Sequence, residues 1–295
     1  MKRFILGLLL LLSLSLPAEA KREVVARTLM QRAPLRNPIV LVHGATTKGS
    51  RLQIGWMDFG EYFHYIAPYY RATGSEVKTA ELSTDGTIEE RAAVLKNFIE
   101  TEYPGRMVNI VAHSLGGLDA RYMVSVLGSQ QVSSITTIGT PHLGTPLANW
   151  ADRQVRKGYP WYWFFRLIGY DMAKRRFLKE ITTDFMRDVF NPKVQDSPDV
   201  RYFSVQTKAT FDGFTMSHLL WFPTRWLENE RSTMSDAGHD GMVPFDSMKW
   251  GRVIGVFEAD HLAQINHQEF RSTDQTDISY NIYMNIYDNL AKERL

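Results

Sequence analysis

Residues 108–127 constrain this chain more than any other stretch. Val108 to Ala112 is a short apolar run that reads as a buried strand. It leads into His113-Ser114-Leu115-Gly116-Gly117, after which Leu118, Tyr122, Val126 and Leu127 recur as in a helix. Strand, glycine-flanked turn and helix form the context in which a serine is held in a strained backbone conformation, its hydroxyl above a sheet edge. The turn needs small residues two before and two after the serine, and Ala112 and Gly116 supply them. Ala112 departs from the glycine of the G-x-S-x-G pattern by only a methyl group. Ser114 is therefore the candidate nucleophile.

Such an elbow requires a sheet to present it, and the flanking sequence supplies one. Pro38 to Ala45 is a continuous apolar strand ending in His43-Gly44, as expected where both faces are buried in a parallel sheet. Residues 46–55 read as a loop, 58–70 as an aromatic-rich helix and 76–82 as a strand. Thr87-Ile-Glu-Glu90 is a capping box opening a helix that Pro104-Gly105 stops. Further strands are expected at 132–138, 200–206 and 253–257, with a C-terminal helix over 278–290. Alternating strands and helices predict an α/β fold with a mostly parallel sheet. The pattern breaks between about residues 150 and 236, where Trp161–Phe165 and Trp221–Trp226 are aromatic-rich and Lys174-Arg175-Arg176 is basic.

The 295 residues are 44% hydrophobic, enough for one large domain over 21–295. A net charge of +2 gives no reason to expect a nucleic-acid partner. Met1-Lys-Arg, the apolar run Phe4–Leu16 and Ala18-Glu-Ala20 form a signal-peptide pattern, with cleavage expected after Ala20 and export to the periplasm or the medium. An uncleaved anchor is the alternative, although the run is short for a membrane span. With no cysteine, export brings no disulfides.

A serine hydroxyl needs an adjacent base and a third group that orients the base. On such a scaffold the partners follow in the order acid, then histidine. His261 follows the strand-like Val253–Phe257 and a short turn, so it sits at a strand end; His267, read as lying in a helix, is its rival. Asp240 opens the turn Asp-Gly-Met-Val-Pro244, with Asp236 and Asp246 as competitors. The oxyanion needs two donors: the backbone N–H of Leu115, after the nucleophile, and that of Ala45, after the first strand. His43 reads as a prop for that loop. Asp119 and Arg121 read as ion-pairing or supporting groups of the elbow helix.

Six segments together resemble the secreted bacterial and fungal triacylglycerol lipases of the α/β-hydrolase superfamily: Ile39–Gly44, Gly86–Ala92, Ala112–Tyr122, Ile138–Pro146, Asp240–Pro244 and Asp260–Leu262. The resemblance covers roughly residues 38–150 and 238–267. It implies an α/β-hydrolase fold, Ser114, Asp240 and His261 as a triad, and a helical lid or cap over about 150–236. It also implies a lipid or ester substrate; the aromatic patches and the basic run fit a lid or lipid-facing rim, and equally the core of inserted helices with a solvated charged face. Many of the bacterial lipases carry a calcium-ligating aspartate two residues after the histidine. Here that position is Ala263, which argues against a structural calcium, and no cofactor is expected. A phospholipase or an acyltransferase would use the same triad. A non-catalytic binding protein on the same scaffold would not need it intact.

Overall fold

The computed structural model describes residues 29–45, 47–48, 50–54, 57–158, 160–167, 171–209, 237–267 and 276–295. The export segment, Asp236 and the aromatic patch at 221–226 lie outside them. Among the described residues six strands form the central sheet: β1 (Ile39–Val42), β5 (Val77–Ala80), β6 (Val108–His113), β7 (Val132–Ile138), β8 (Arg201–Lys208) and β9 (Arg252–Glu258). Every pairing is parallel, in the order β5-β1-β6-β7-β8-β9.

The sequence of β1 explains why it sits inside the sheet. Side chains alternate between faces along a strand. Ile39 and Leu41 enter one apolar cluster with α1 (Ile66–Ala72) and the C-terminal α9 (Thr276–Lys292). Val40 and Val42 enter the other, with α2 (Ile88–Glu102) and α3 (Gly116–Ser125). All four are fully buried, so a strand without a polar face can only be central. Truncating Leu41 to alanine would cost ~2–5 kcal/mol.

Strand order also fixes where a site can form. From β1 the chain moves outward to β5, then crosses back over β1 to β6 and continues to β7. β1 and β6 are thus neighbours whose connections leave in opposite directions, opening a crevice at their carboxyl ends. Val42 pairs with Ala112 in register, so the loops after β1 and β6 emerge side by side. These loops begin at His43 and Ser114.

Residues 46–70 differ from expectation. The loop expected at 46–55 contains strands β2 (Thr47–Lys48) and β3 (Arg51–Ile54); β3 pairs antiparallel with β2 on one side and with β4 (Met57–Glu61) on the other, in a small second sheet. The Arg51 guanidinium spans the hairpin to Asp58, and Leu52 is buried in the main core. The helix expected from residue 58 starts only at Ile66, because Tyr65 adopts a left-handed conformation (φ 59°) that breaks the helical path. The other elements fall within a few residues of their expected positions.

Between β7 and β8 the chain makes a helical excursion: α4 (Pro146–Lys157), α5 (Pro160–Leu167), and the short α6 (Phe177–Glu180), α7 (Thr183–Phe185) and α8 (Asn191–Lys193), with a π-turn at Met186–Phe190. It is docked by charge. Arg175 pairs with Asp85, Arg176 pairs with Glu90, and Glu180 accepts a 2.7 Å hydrogen bond from the Ile88 amide at the start of α2. Arg175 and Arg176, read either as lipid-attracting or as a solvated face, are thus engaged by carboxylates. Among the described residues no helix is long and apolar enough to cross a membrane.

Candidate active site

Ser114 sits between β6 and α3 with φ 56°, in the left-handed region. A non-glycine residue there carries a strain of ~1–3 kcal/mol and persists only where its surroundings enforce it. Two hydrogen bonds do so: the Ser114 N–H donates to the Ile138 carbonyl (2.9 Å), and the Thr140 hydroxyl donates to the Ser114 carbonyl (2.7 Å). Gly116 lets the turn close, since a Cβ there would stand 2.6 Å from the Val42 carbonyl oxygen.

The candidate base and acid lie behind the serine. His261 Nε2 is 3.0 Å from Ser114 Oγ, and His261 Nδ1 is 2.6 Å from Asp240 Oδ2. Asp240 cannot donate, so Nδ1 carries the proton and Nε2 accepts from the serine hydroxyl. Asp240 is fully buried. Burial raises its pKa, but the His261 charge and hydrogen bond, with the amides of Val243 and Met242, outweigh this and hold the carboxyl below its ordinary range. The 2.9 Å bond from the His261 amide to the Asp240 carbonyl ties the two loops together.

The competing residues lie elsewhere. Asp246 is exposed on the short 3-10 turn Phe245–Met248. His267, expected in a helix, instead follows the 3-10 turn Ala263–Ile265, which ends at Asn266 in a left-handed conformation. Its Nε2 donates to the Glu61 carbonyl at 2.7 Å, pinning the β4 end rather than facing the serine.

Leu115 is the N-cap of α3, so its amide has no acceptor within the helix. Ala45 follows His43 and Gly44, whose carbonyls both accept from Arg91 Nη2, at 3.0 and 3.2 Å. His43 Nε2 accepts from the Leu82 amide, which makes this ring a structural prop; burial, then the Arg91 charge, lower its pKa to about 3. Arg91 is fully buried and pairs with Asp119 at 2.8 Å. Burial raises the Asp119 carboxyl to about 6 even against that charge. Asp119 therefore serves the loop after β1 through Arg91. Arg121 instead donates to Asn191 and lies 3.4 Å from the centre of the Trp250 ring.

The residues around His261 do not fit a calcium site. Ala263 presents a buried methyl, and Asp260 Oδ1 is taken by the amides of Leu262 and Ala263 at 2.9 and 2.8 Å. Among the described residues no group of three or more His, Cys, Asp or Glu side chains could hold a metal ion. Sequence reasoning missed Arg91 as part of this site, and also Gln264, whose Nε2 donates to Asp240 Oδ2 at 2.7 Å, and Tyr62, whose hydroxyl is 2.7 Å from His113 Nδ1. Only Arg91 had a local signal, as a cation on an inward-facing position of a helix capped at Thr87.

Comparisons with known proteins agree with this architecture. Residues 37–166 match the alpha/beta hydrolase fold family. Triacylglycerol lipase 2 of Saccharomyces cerevisiae is 29% identical over 260 residues, covering 79% of this chain and 74% of the relative. A triacylglycerol lipase of Pseudarthrobacter phenanthrenivorans is 32% identical over 127 residues, covering 41% of this chain and 38% of the relative. The mature form of a Bacillus licheniformis lipase superposes with a TM-score of 0.61 at 21% identity, covering 87% of this chain and 94% of that one, and shows the shared fold. The chain has the α/β-hydrolase fold.

Proposed function

We propose that this protein is a serine hydrolase of fatty-acyl esters, with acylglycerols as its substrate class. The observation that carries the reading is the unbroken line Ser114 Oγ, His261 Nε2, His261 Nδ1, Asp240 Oδ2, at 3.0 and 2.6 Å, on a strained elbow. In this reading Ser114 Oγ attacks the ester carbonyl carbon as His261 Nε2 takes the hydroxyl proton. Asp240 stays ionised and stabilises the imidazolium. The N–H groups of Ala45 and Leu115 hold the oxyanion, each contributing ~3–4 kcal/mol to the transition state. Collapse breaks the bond to the alcohol, which leaves with the proton from His261. Water then repeats the sequence on the acyl-enzyme and releases the acid.

An acylglycerol substrate is supported by the triacylglycerol lipases among the relatives and by exposed apolar side chains on the loop after β7 and the helical excursion. Leu143 is 52% exposed on the loop after β7, and Trp163 and Leu167 are exposed on α5. Residues 150–236 would act as the lid or cap. We further propose export, with cleavage after Ala20; N-terminal sequencing of the secreted protein should begin at Lys21, and a start upstream would overturn that site.

The central test is Ser114→Ala assayed on p-nitrophenyl esters, with fluorophosphonate labelling of the parent. Loss of hydrolysis by at least about 10⁴-fold, and labelling only when Ser114 is present, would support the reading. Full activity in the variant would sink it. Product analysis with a phospholipid and with an alcohol acceptor separates the lipase from a phospholipase or acyltransferase.

A further inference from the structure

Gln264 is fully buried three residues beyond His261, and its carboxamide makes three hydrogen bonds to three other parts of the fold. Nε2 donates to Asp240 Oδ2 at 2.7 Å and to Thr207 Oγ1 on β8 at 2.6 Å. Oε1 is 2.9 Å from His113 Nε2 at the end of β6. The amide cannot be reversed, because an ionised Asp240 can only accept and must face the NH₂ group. The carbonyl therefore faces His113, whose Nε2 must carry the proton. His113 Nδ1 is then an acceptor, matched by the Tyr62 hydroxyl at 2.7 Å. That hydroxyl packs against Gly44, in the loop after β1, where a Cβ would stand 2.7 Å from it.

The space for Gln264 is shaped to it. Gly139 has φ 56°, and a Cβ there would stand 2.3 Å from Oε1. The series Gly44, Tyr62, His113, Gln264, Asp240, His261, Ser114 thus runs around the nucleophile, a packing contact at Gly44 and hydrogen bonds of fixed direction from Tyr62 onward. It starts in the proposed oxyanion loop and ends at the serine.

We infer that Gln264 is a positioning residue for catalysis, which fixes the Asp240 carboxylate through its NH₂ group and the oxyanion loop through His113 and Tyr62. This rests on the triad proposed above. Among the described residues Asp240 has four donors: the amides of Met242 and Val243, His261 and Gln264. Removing the Gln264 donor leaves one carboxylate oxygen held by His261 alone. The carboxylate can then swing away from His261 Nδ1, and the ring loses its fixed aim at Ser114 Oγ.

A glutamate at 264 would face Asp240, His113 and His261 directly. Tyr62 stands behind His113, Asp260 is joined through its backbone carbonyl, and His267 also bears on His113. The Thr207 hydroxyl and Gly139 add no charge. The second carboxylate beside Asp240 favours the protonated form of His261, so the base is freed only at higher pH.

The experiment compares the parent, Gln264→Met, Gln264→Glu and Ser114→Ala in the full-length protein, with rates normalised to fluorophosphonate-titrated sites where the serine is retained. Gln264→Met should lower kcat about tenfold to a hundredfold with KM within about twofold. Gln264→Glu should move the half-maximal pH of the acidic limb of kcat/KM upward by at least about one unit. Parent-like kcat in the methionine variant, or an unmoved limb in the glutamate variant, overturns the role of Gln264 while Ser114→Ala remains inactive. Retained activity in Ser114→Ala would instead overturn the triad itself. Normalising to titrated sites excludes misfolded protein, so a purely structural role would lower the site count without moving kcat or the limb.

Discussion

Gly116→Ala is a sharp test of how the elbow sits against β1. Helix propensity alone favours the change, since alanine in a helix is ~1 kcal/mol better than glycine. Contacts oppose it. The new Cβ would stand 2.6 Å from the Val42 carbonyl oxygen, 2.8 Å from the His43 carbonyl oxygen and 3.0 Å from Val42 Cγ1. Two of these partners are backbone atoms of a buried strand and cannot rotate away. Bringing the shortest contact to 3.0 Å moves the end of β1 relative to α3 by at least about 0.4 Å. Overpacking of this kind costs ~1–3 kcal/mol, so the net stability change is a loss of about 0–2 kcal/mol. The effect on rate is larger than this suggests, because the displaced segment carries the proposed donor at Ala45. A misplacement of about 1 Å can cost ~100-fold, so ~0.4 Å should cost about five- to tenfold in kcat/KM. Urea unfolding and p-nitrophenyl butyrate kinetics on the same preparation measure both quantities. A variant more stable than the parent with unchanged kcat/KM would show that the two backbones are not in contact as described.

Asp240→Asn should lower kcat by about 10⁴-fold, because the amide presents a donor to His261 and favours the wrong tautomer; steady-state kinetics with retained cooperative unfolding checks it. Asp119 makes stability depend on pH. Its folded pKa of about 6 lies above the ordinary 3.8, so its contribution is complete below 3.8 and is lost as pH rises to about 6. Burial sets an upper bound of ~3 kcal/mol on this loss, and the difference between the parent and Asp119→Asn, by urea unfolding from pH 4 to 7, should show it. A pH-independent difference would refute it. Arg91→Met should destabilise by ~3–5 kcal/mol by leaving Asp119 buried and unpaired, a drop that thermal unfolding would reveal.

The residues that sequence reading found are those whose work leaves a local trace. Ser114 needs small neighbours, Asp240 opens a glycine turn, and His261 ends a strand-like run. The central strands were legible because a segment apolar on both faces has few other places to go. Gln264 and Tyr62 left no such trace. They meet because strand order brings residue 113 against residue 62, 51 positions away, and residue 264, 151 positions away. Nothing in Gln264's immediate neighbours distinguishes it from a glutamine on a turn. The hairpin at 51–61 was missed for another reason: its aromatic and acidic residues lack strict alternation, and the Arg51–Asp58 bridge that closes it becomes visible only once the strands are paired. The basic run at 174–176 showed charge without showing that Asp85 and Glu90 would meet it.

The docking of the helical excursion on α2 has a consequence for how such a protein can be recombined. Arg175, Arg176 and Glu180 all land on the first turn of α2 or the residues just before it, one turn from Arg91, whose guanidinium holds the carbonyls of His43 and Gly44. Exchanging residues 146–193 alone for those of a relative would strand Asp85 and Glu90 without arginines and leave the Ile88 amide without its acceptor. The smallest transplantable module is therefore discontinuous: the excursion together with residues 85–90. The strut that carries the helical excursion also braces the loop after β1.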